Sequence, residues 1–304
     1  MGNDMAFVGV TTGSSSIMKV FPRWAEILGL PTRELVGIDL PLDASAAQYR
    51  ETVTRLRDDP QMRGALVTTH KMVLFEAAHS LFDHLDDFAR ACGEISSISL
   101  GEGGELRGHA KDPLTVGLAL EEFLPQHHFA GTRDAIILGA GGAGLALAWR
   151  LQERIDRPRR IVAVDPRSDR LAHLEEVVSS HHPDGPELVL LQADDESVKK
   201  VIGDAPSGSL VVNSSGLGKD RPGSPAPEGT VFPAEAYVWE FNYRGTLEFL
   251  RQAEQQSGSR SLTVIDGWRY FIHGWTQVIS EVFGIAMPAD VVDDLSRAAE
   301  DARS

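Results

Sequence analysis

The feature that most constrains this chain is Gly139-Ala-Gly-Gly-Ala-Gly144. It sits between the apolar run Asp134-Ala-Ile-Ile-Leu138 and the helical stretch from Leu145 to Glu153, and a second apolar run, Ile161-Val-Ala-Val164, ends on Asp165. Strand, glycine turn, helix and strand in this order make a dinucleotide-binding crossover. The first glycine permits the tight turn, the second lets backbone approach a pyrophosphate, and the third lets helix and strand pack closely. Phosphates would sit at the helix N-terminus, where unpaired N–H groups and the macrodipole favour negative charge. Glycine spacing alone also fits a merely tight turn in a parallel sheet. The flanking elements, with an acid about 20 residues past the last glycine, favour the dinucleotide reading. The expected cofactor contacts are therefore Gly139, Ala140, Gly141, Gly142, Ala143, Gly144 and Asp165.

Strand and helix patterns alternate on both sides of this crossover. Before it, strands are expected at Ala6–Val10, Leu35–Leu40 and Gly64–Thr68. Helices are expected over Ile17–Leu28, closed by Gly29, from a cap at Asp43 or Ser45 to Arg57, and over Phe82–Cys92. Ile95–Leu100 and Leu106–His109 flank Gly101-Glu-Gly-Gly104 and read as a hairpin. After the crossover, strands at Leu188–Leu191, Leu210–Asn213, Tyr237–Phe241 and Leu262–Ile265 complete a doubly wound sheet of about six strands. The expected organisation is α/β with two domains. Residues 1–113 form a substrate-binding catalytic domain, residues 114–266 a Rossmann dinucleotide-binding domain, and helices within 267–304 return to the first. Lys219–Gly229 reads as a surface loop fit to act as a lid.

Composition narrows the partners. The chain has 304 residues and a net charge of −15, which disfavours nucleic acid or an anionic membrane as the main partner, since both require basic patches. No secretory signal or membrane-length apolar run is visible, and the lone Cys92 cannot form an internal disulfide, so a cytoplasmic setting is expected. The expected partner is a small molecule, with a homodimer left open. The histidines are scattered, and no metal motif is present.

Chemistry must then come from the first domain. Lys71 follows a buried strand end, and Asp112 opens the helix that bridges to the cofactor domain. Tuned by burial or a neighbouring charge, lysine works as an acid or base, and a carboxylate can hold it. Placement alone favours a solvated lysine and a capping aspartate.

The motifs carry a resemblance, however. From Val8 to about Pro288 the chain resembles the shikimate dehydrogenase family. Ser14-Ser-Ser16 resembles its S-x-S motif, Thr69-His-Lys71 the end of N-V-T-x-P-x-K, and Gly108-His-Ala-Lys-Asp112 its G-x-N-T-D. Asn213-Ser-Ser-Gly-Leu-Gly218 resembles N-A-T-P-x-G, Tyr243 stands at the tyrosine of D-x-x-Y, and Gly267-Trp-Arg-Tyr-Phe271 is similar to the opening of the closing helix. The resemblance implies a catalytic Lys71–Asp112 pair and substrate contacts from Ser14, Ser16, Ser96 and Tyr243. It also implies cofactor contacts from Asn213, Ser214 and Gly218.

The departures concern ring recognition. Where the family has polar side chains, this chain has Ala65, Val67, Ser96, Ala110, Lys111 and Gly274, and Thr69 stands in place of its proline. A site that loses donors to a hydroxyl changes its substrate. Trp268, Tyr270 and Trp275 read either as aromatic bulk near that pocket or as helix packing.

Asp165 can accept from both ribose hydroxyls of NAD and would repel a 2′-phosphate, whereas Arg167 could meet one, so NAD is expected over NADP. The expected activity is NAD-dependent interconversion of a ring alcohol and ketone in a shikimate- or quinate-like cyclic hydroxy acid. The rivals are a paralogue acting on another cyclitol or amino-polyol, a non-catalytic NAD-binding sensor, and a folate-type methylene dehydrogenase.

Overall fold

A computed structural model describes residues 2–219 and 221–302. The chain forms two compact units, one running to Thr115 and resuming at Ile272, the other spanning Val116–Phe271.

The first unit is built on a six-stranded sheet in the order β2-β1-β3-β5-β6-β4. β1 (Asp4–Gly9) lies between β2 (Leu35–Asp39) and β3 (Met62–Val67), parallel to both. Its unbroken apolar run is what a strand covered on both faces needs. α1 (Ser16–Leu28) buries Ile17, Val20, Phe21 and Trp24 at helical spacing and stops at Gly29, whose φ of +63° suits glycine. Pro22 lies in its interior. α2 (Ala46–Asp58) starts at a capping box in which Ser45 and Gln48 satisfy each other's backbone, and α3 (Lys71–Ala78) follows β3.

Helical spacing predicts a single helix over Phe82–Cys92, and the structure differs. Asp83 donates its N–H to Leu106 O at 2.9 Å and accepts from Leu106 N at 2.8 Å through Oδ2. This draws the segment to the sheet edge as β4 (His84–Leu85). The helix, α4 (Asp87–Cys92), begins only after Asp86, whose carboxylate accepts from Ala89 N at 2.7 Å. β5 (Ser97–Leu100) and β6 (Leu106–His109) form the expected antiparallel hairpin, and α5 (Asp112–Phe123) leads into the second unit.

The second unit holds a parallel six-stranded sheet. Its elements are β7 (Ala135–Leu138), α6 (Gly142–Glu153), β8 (Arg160–Asp165), α7 (Ser168–His181), β9 (Glu187–Gln192), α8 (Asp195–Gly203), β10 (Leu210–Asn213), β11 (Tyr237–Glu240), α9 (Glu248–Arg260) and β12 (Thr263–Ile265). The strand order is β12-β11-β10-β7-β8-β9, the doubly wound order of a Rossmann sheet, with its switch point between β7 and β10. Asp220 lies outside the described residues, and the rest of the loop expected at Lys219–Gly229 is partly anchored. Ala226 is buried, its O accepts from Gln252 Nε2 at 3.0 Å, and Ser224 Oγ donates to Gln252 Oε1 at 2.7 Å.

α10 (Trp268–Phe283) and α11 (Ala289–Ala298) end the chain, which re-enters the first unit at Ile272. There Trp275 meets Phe7 edge-on at 5.1 Å, Arg63 Nε donates to Val282 O at 3.0 Å, and Trp24 Nε1 donates to Leu295 O at 2.8 Å. Trp268 and Tyr270 pack within the second unit, against Phe271 and Phe241. All three aromatics make packing contacts. Among the described residues, no helix is long and apolar enough to cross a membrane.

Candidate functional site

In the first unit the candidate residues leave one edge of the sheet. β1 and β3 are parallel neighbours, so the turns after them, carrying Ser14, Ser16 and Lys71, emerge at the same end. β5 is antiparallel to β3 and pairs Ser97 with Leu66, which puts its entry, Glu94 to Ser96, at that end too. β6 pairs His109 with Ser97, so Asp112 follows there.

Lys71 is the first residue of α3, where the helix macrodipole opposes a cation. Asp112 offsets this. Lys71 Nζ donates to its Oδ1 at 2.6 Å and its Oδ2 at 2.5 Å. Burial pulls the lysine amine down, but the charges of Asp112 and Glu94 and the hydrogen bond from Asp112 outweigh it and hold Lys71 above its ordinary range. Asp112 itself sits in the first turn of α5, where a carboxylate suits the dipole.

Neighbours fix both members of the pair. His70, directly before Lys71, is buried, and its Nδ1 lies 2.7 Å from Tyr49 Oη and its Nε2 3.0 Å from Leu40 O. A carbonyl only accepts, so Nε2 carries the proton and Nδ1 accepts from the tyrosine. The turn before Asp112 is held by two side chains. Lys111 N donates to Ser96 Oγ at 2.7 Å, and Ala110 N donates to Asp86 Oδ1 at 3.2 Å. Ser96 also donates to His109 O at 3.3 Å. The serine expected to touch substrate thus spends its hydroxyl on the backbone that carries Asp112. Lys111 pairs with Glu281 on α10 at 2.6 Å. Ser14 is exposed and donates to Thr11 O at 3.1 Å, and Ser16 begins α1 beside a cavity of about 330 Å³ that Lys19 and Arg23 also line.

Glu94 is the residue that sequence patterns pass over. It is only 1% exposed, and its buried Oε1 has no hydrogen-bond partner among the described residues. Burial pushes its carboxyl up to about 8, with Asp112 and Asp86 adding to the rise and Lys71 opposing it. A glutamate directly before the apolar entry of a central strand was the available signal.

The second unit presents the glycine turn. Gly139 has φ +115°, and a Cβ there would lie 2.6 Å from Ser215 N, while one on Gly144 would lie 1.9 Å from Gly139 O. These glycines make the turn possible. Gly141 differs, since a Cβ there would meet only Arg170 Nη1, at 3.9 Å. It is the N-cap of α6 and makes no side-chain capping bond, so the first N–H groups of α6, from Gly142, Ala143 and Gly144, face an approachable backbone. The donor set fits a pyrophosphate.

Asp165 is buried. It accepts from Ala140 N at 2.8 Å and Arg167 N at 2.9 Å, shaping the turn with the carboxylate expected to face a ribose. The Arg167 side chain pairs with Asp169, and Arg170, not singled out in the sequence, reaches to 3.8 Å from Asp165.

At the end of β10, Asn213 is fully buried. Its Nδ2 donates to Glu240 Oε2 at 2.7 Å and Leu217 O at 3.1 Å, and its Oδ1 accepts from Ser215 N at 3.0 Å. Ser214 Oγ donates to Gly139 O at 2.8 Å, tying this loop to the glycine turn, and Gly218 N donates to Arg221 O at 2.7 Å. Burial pushes Glu240 up to about 7 against the bonds from Asn242 and Asn213. Tyr243 packs on Phe271 at 4.2 Å between ring centres, with Lys219 Nζ 5.9 Å from its ring.

No family model matches the chain. It is 28% identical over 266 residues to a shikimate dehydrogenase (NADP(+)) of Methanothrix thermoacetophila, covering 85% of this chain and 87% of the relative. Among solved structures it matches the quinate dehydrogenase of Corynebacterium glutamicum in complex with NAD, with a TM-score of 0.74, 18% identity and 98% of each chain covered. It also matches a 5-ketofructose reductase of a Gluconobacter strain, with a TM-score of 0.70, 16% identity, and 98% of this chain and 97% of that one covered. The two-domain fold with a Rossmann sheet is the one these structures share.

Proposed function

We propose that this chain, a divergent relative of the shikimate and quinate dehydrogenases, is a nicotinamide-nucleotide-dependent dehydrogenase. It would interconvert a ring alcohol and a ketone in a cyclic hydroxy acid. The first unit, with the C-terminal helices, binds substrate, and the second binds the nucleotide. The observation that carries this reading is the bidentate pair between Lys71 and Asp112, which sequence resemblance and sheet register support independently.

A bound nicotinamide would supply or accept the hydride. The chain's own residues handle the proton and the positioning. Lys71, held protonated, donates to the carbonyl oxygen as it gains negative charge in the reductive direction. Asp112 aims the ammonium and restricts its rotamers. Ser14 and Ser16 bind the carboxylate of the substrate. In the second unit Gly139 to Gly144 cradle the pyrophosphate, with Ala140, Gly141, Gly142 and Ala143 between them. Asp165 fixes the turn through both its oxygens, and at the end of β8 it would lie beside the ribose. Asn213, Ser214 and Gly218 shape the loop at the switch point, and Tyr243 closes its far side.

NAD is the favoured nucleotide, because a buried carboxylate at the end of β8 repels a 2′-phosphate. Arg167 supports this less than its sequence position suggests, since its guanidinium is already paired with Asp169. A second reading, action on a cyclitol lacking the family's hydroxyl pattern, is favoured by one observation: Ser96 holds backbone instead of facing substrate. Oxidation of shikimate, quinate and related cyclitols with NAD and NADP, followed by nicotinamide absorbance, tests both. Turnover of a carboxylated ring with NAD supports the first reading, and turnover only of a carboxylate-free ring supports the second. No turnover with any of them would overturn both.

A further inference from the structure

The Lys71–Asp112 pair leaves a proton unaccounted for. Once Lys71 has protonated a substrate oxygen, its neutral amine must regain a proton while substrate covers it. In the oxidative direction an amine held protonated cannot accept until it has released one. A buried neighbour that exchanges protons with it would close the cycle while substrate is bound.

Glu94 is placed for this. Ile95 N donates to Lys71 O at 3.2 Å, so the backbone at Glu94 runs against the start of α3. The glutamate's charge acts on Lys71, and the charges of Lys71 and Asp112 act on the glutamate in opposite senses. It is buried, and one oxygen has no partner among the described residues. A buried carboxylate without full hydrogen bonding is costly and is avoided by keeping the proton. The groups around it favour the same outcome. Asp112 on α5 and Asp86 at the cap of α4 are anionic neighbours, and Cys92 on α4 is a thiol that burial pushes up. Among the described residues, Lys71 on α3 is the cation that opposes them. His109 and Lys111 are engaged with Asp86 and Glu281.

We propose that Glu94 is the proton reservoir of Lys71. This rests on the dehydrogenase reading above. In reduction, as the carbonyl carbon gains the hydride that a reduced nicotinamide would supply, the Lys71 N–H bond breaks and the substrate O–H bond forms. The Glu94 O–H bond then breaks as the N–H bond on Lys71 is restored, and Glu94 recovers its proton from solvent. In oxidation the same bonds form and break in reverse, so Glu94 must begin ionised. Glu94 is a positioning residue for charge and proton supply, acting through Lys71.

The test uses the full chain and its Glu94→Gln, Glu94→Asp and Lys71→Ala variants. In wild type, oxidative kcat should rise with pH through about 8, where Glu94 ionises. E94Q, which keeps the shape but carries no proton, should lose that limb and fall about tenfold in kcat with KM little changed. E94D should recover part of both. Independently of substrate, the infrared carboxyl absorbance of wild type should contain a protonated group that titrates in the same range and is absent from E94Q. E94Q keeping the wild-type profile within twofold while K71A is inactive would overturn the reservoir and leave the dehydrogenase reading standing. K71A within a few fold of wild type would overturn the dehydrogenase reading and the reservoir with it. If E94Q does not fold, the infrared titration is read in Glu240→Gln, which removes the other carboxyl that burial pushes up, and no protonated carboxyl titrating near pH 8 there overturns the proposal.

Discussion

Each unit buries one glutamate at its candidate site, and the two are treated differently. Glu240 is fully buried, but Asn213 and Asn242 donate to both its oxygens. Glu94 is as deeply buried, and one oxygen has no such donor among the described residues. The first belongs to a bonded scaffold that shapes a loop. The second lies beside a lysine and two aspartates in a cluster whose charges do not settle. Rigid hydrogen-bonded networks suit binding, where geometry must be held. An under-satisfied titratable cluster suits chemistry, where a proton must move.

The largest effect that could break this contrast is on Asp112. Asp112→Asn keeps the shape and removes the charge that holds Lys71, so kcat should fall about a hundredfold with nucleotide affinity unchanged. An equal loss in nucleotide affinity would mean that the cluster is scaffold after all. Next comes the glycine turn. Gly141→Ala places a methyl where only Arg170 is near, so the protein should keep its melting temperature while nucleotide Kd rises about tenfold. Gly144→Ala, whose methyl would meet Gly139 O at 1.9 Å, should lower the melting temperature instead. Similar behaviour of the two variants would deny that the turn has one face for packing and one for ligand.

The smallest effect is on pH-dependent stability. Both glutamates have folded values above the ordinary carboxylate value of 4.5, about 8 for Glu94 and about 7 for Glu240. Between those limits the folded state binds more protons than the unfolded state, so stability falls as pH rises. The contribution is fully present below 4.5 and lost as pH passes through the folded value. Urea midpoints of E94Q should lose the part of the slope that extends to about pH 8, and those of Glu240→Gln only the part ending near 7. Slopes unchanged in both variants would mean that neither proton is retained on folding.

Most of the fold was legible in the sequence because its signals are local and periodic. Strand runs, the Gly29 stop and the cap at Asp43 or Ser45 each act within a few residues. The failure at Phe82–Cys92 came from a distant partner, since Leu106 captures Asp83 and no helical pattern can announce that. The glycine turn of the candidate site was legible because its flanking elements frame it, whereas Lys71 and Asp112 stood out only through the family motifs around them. The site was not legible where a polar residue could face substrate or backbone. Ser96 reads as a shortened substrate contact, yet its hydroxyl is placed on Lys111 N. Asp165 reads as a ribose ligand, yet it also builds the turn. Glu94 carries no motif at all, and only its burial beside the pair marks it.

The most direct test of the central claim is turnover by Lys71→Ala at saturating NAD and the best cyclic hydroxy acid. Nucleotide affinity is measured in the same preparation. If Lys71 moves the proton, kcat falls by about a hundredfold or more and nucleotide Kd stays within twofold. Turnover within a few fold of wild type would contradict it.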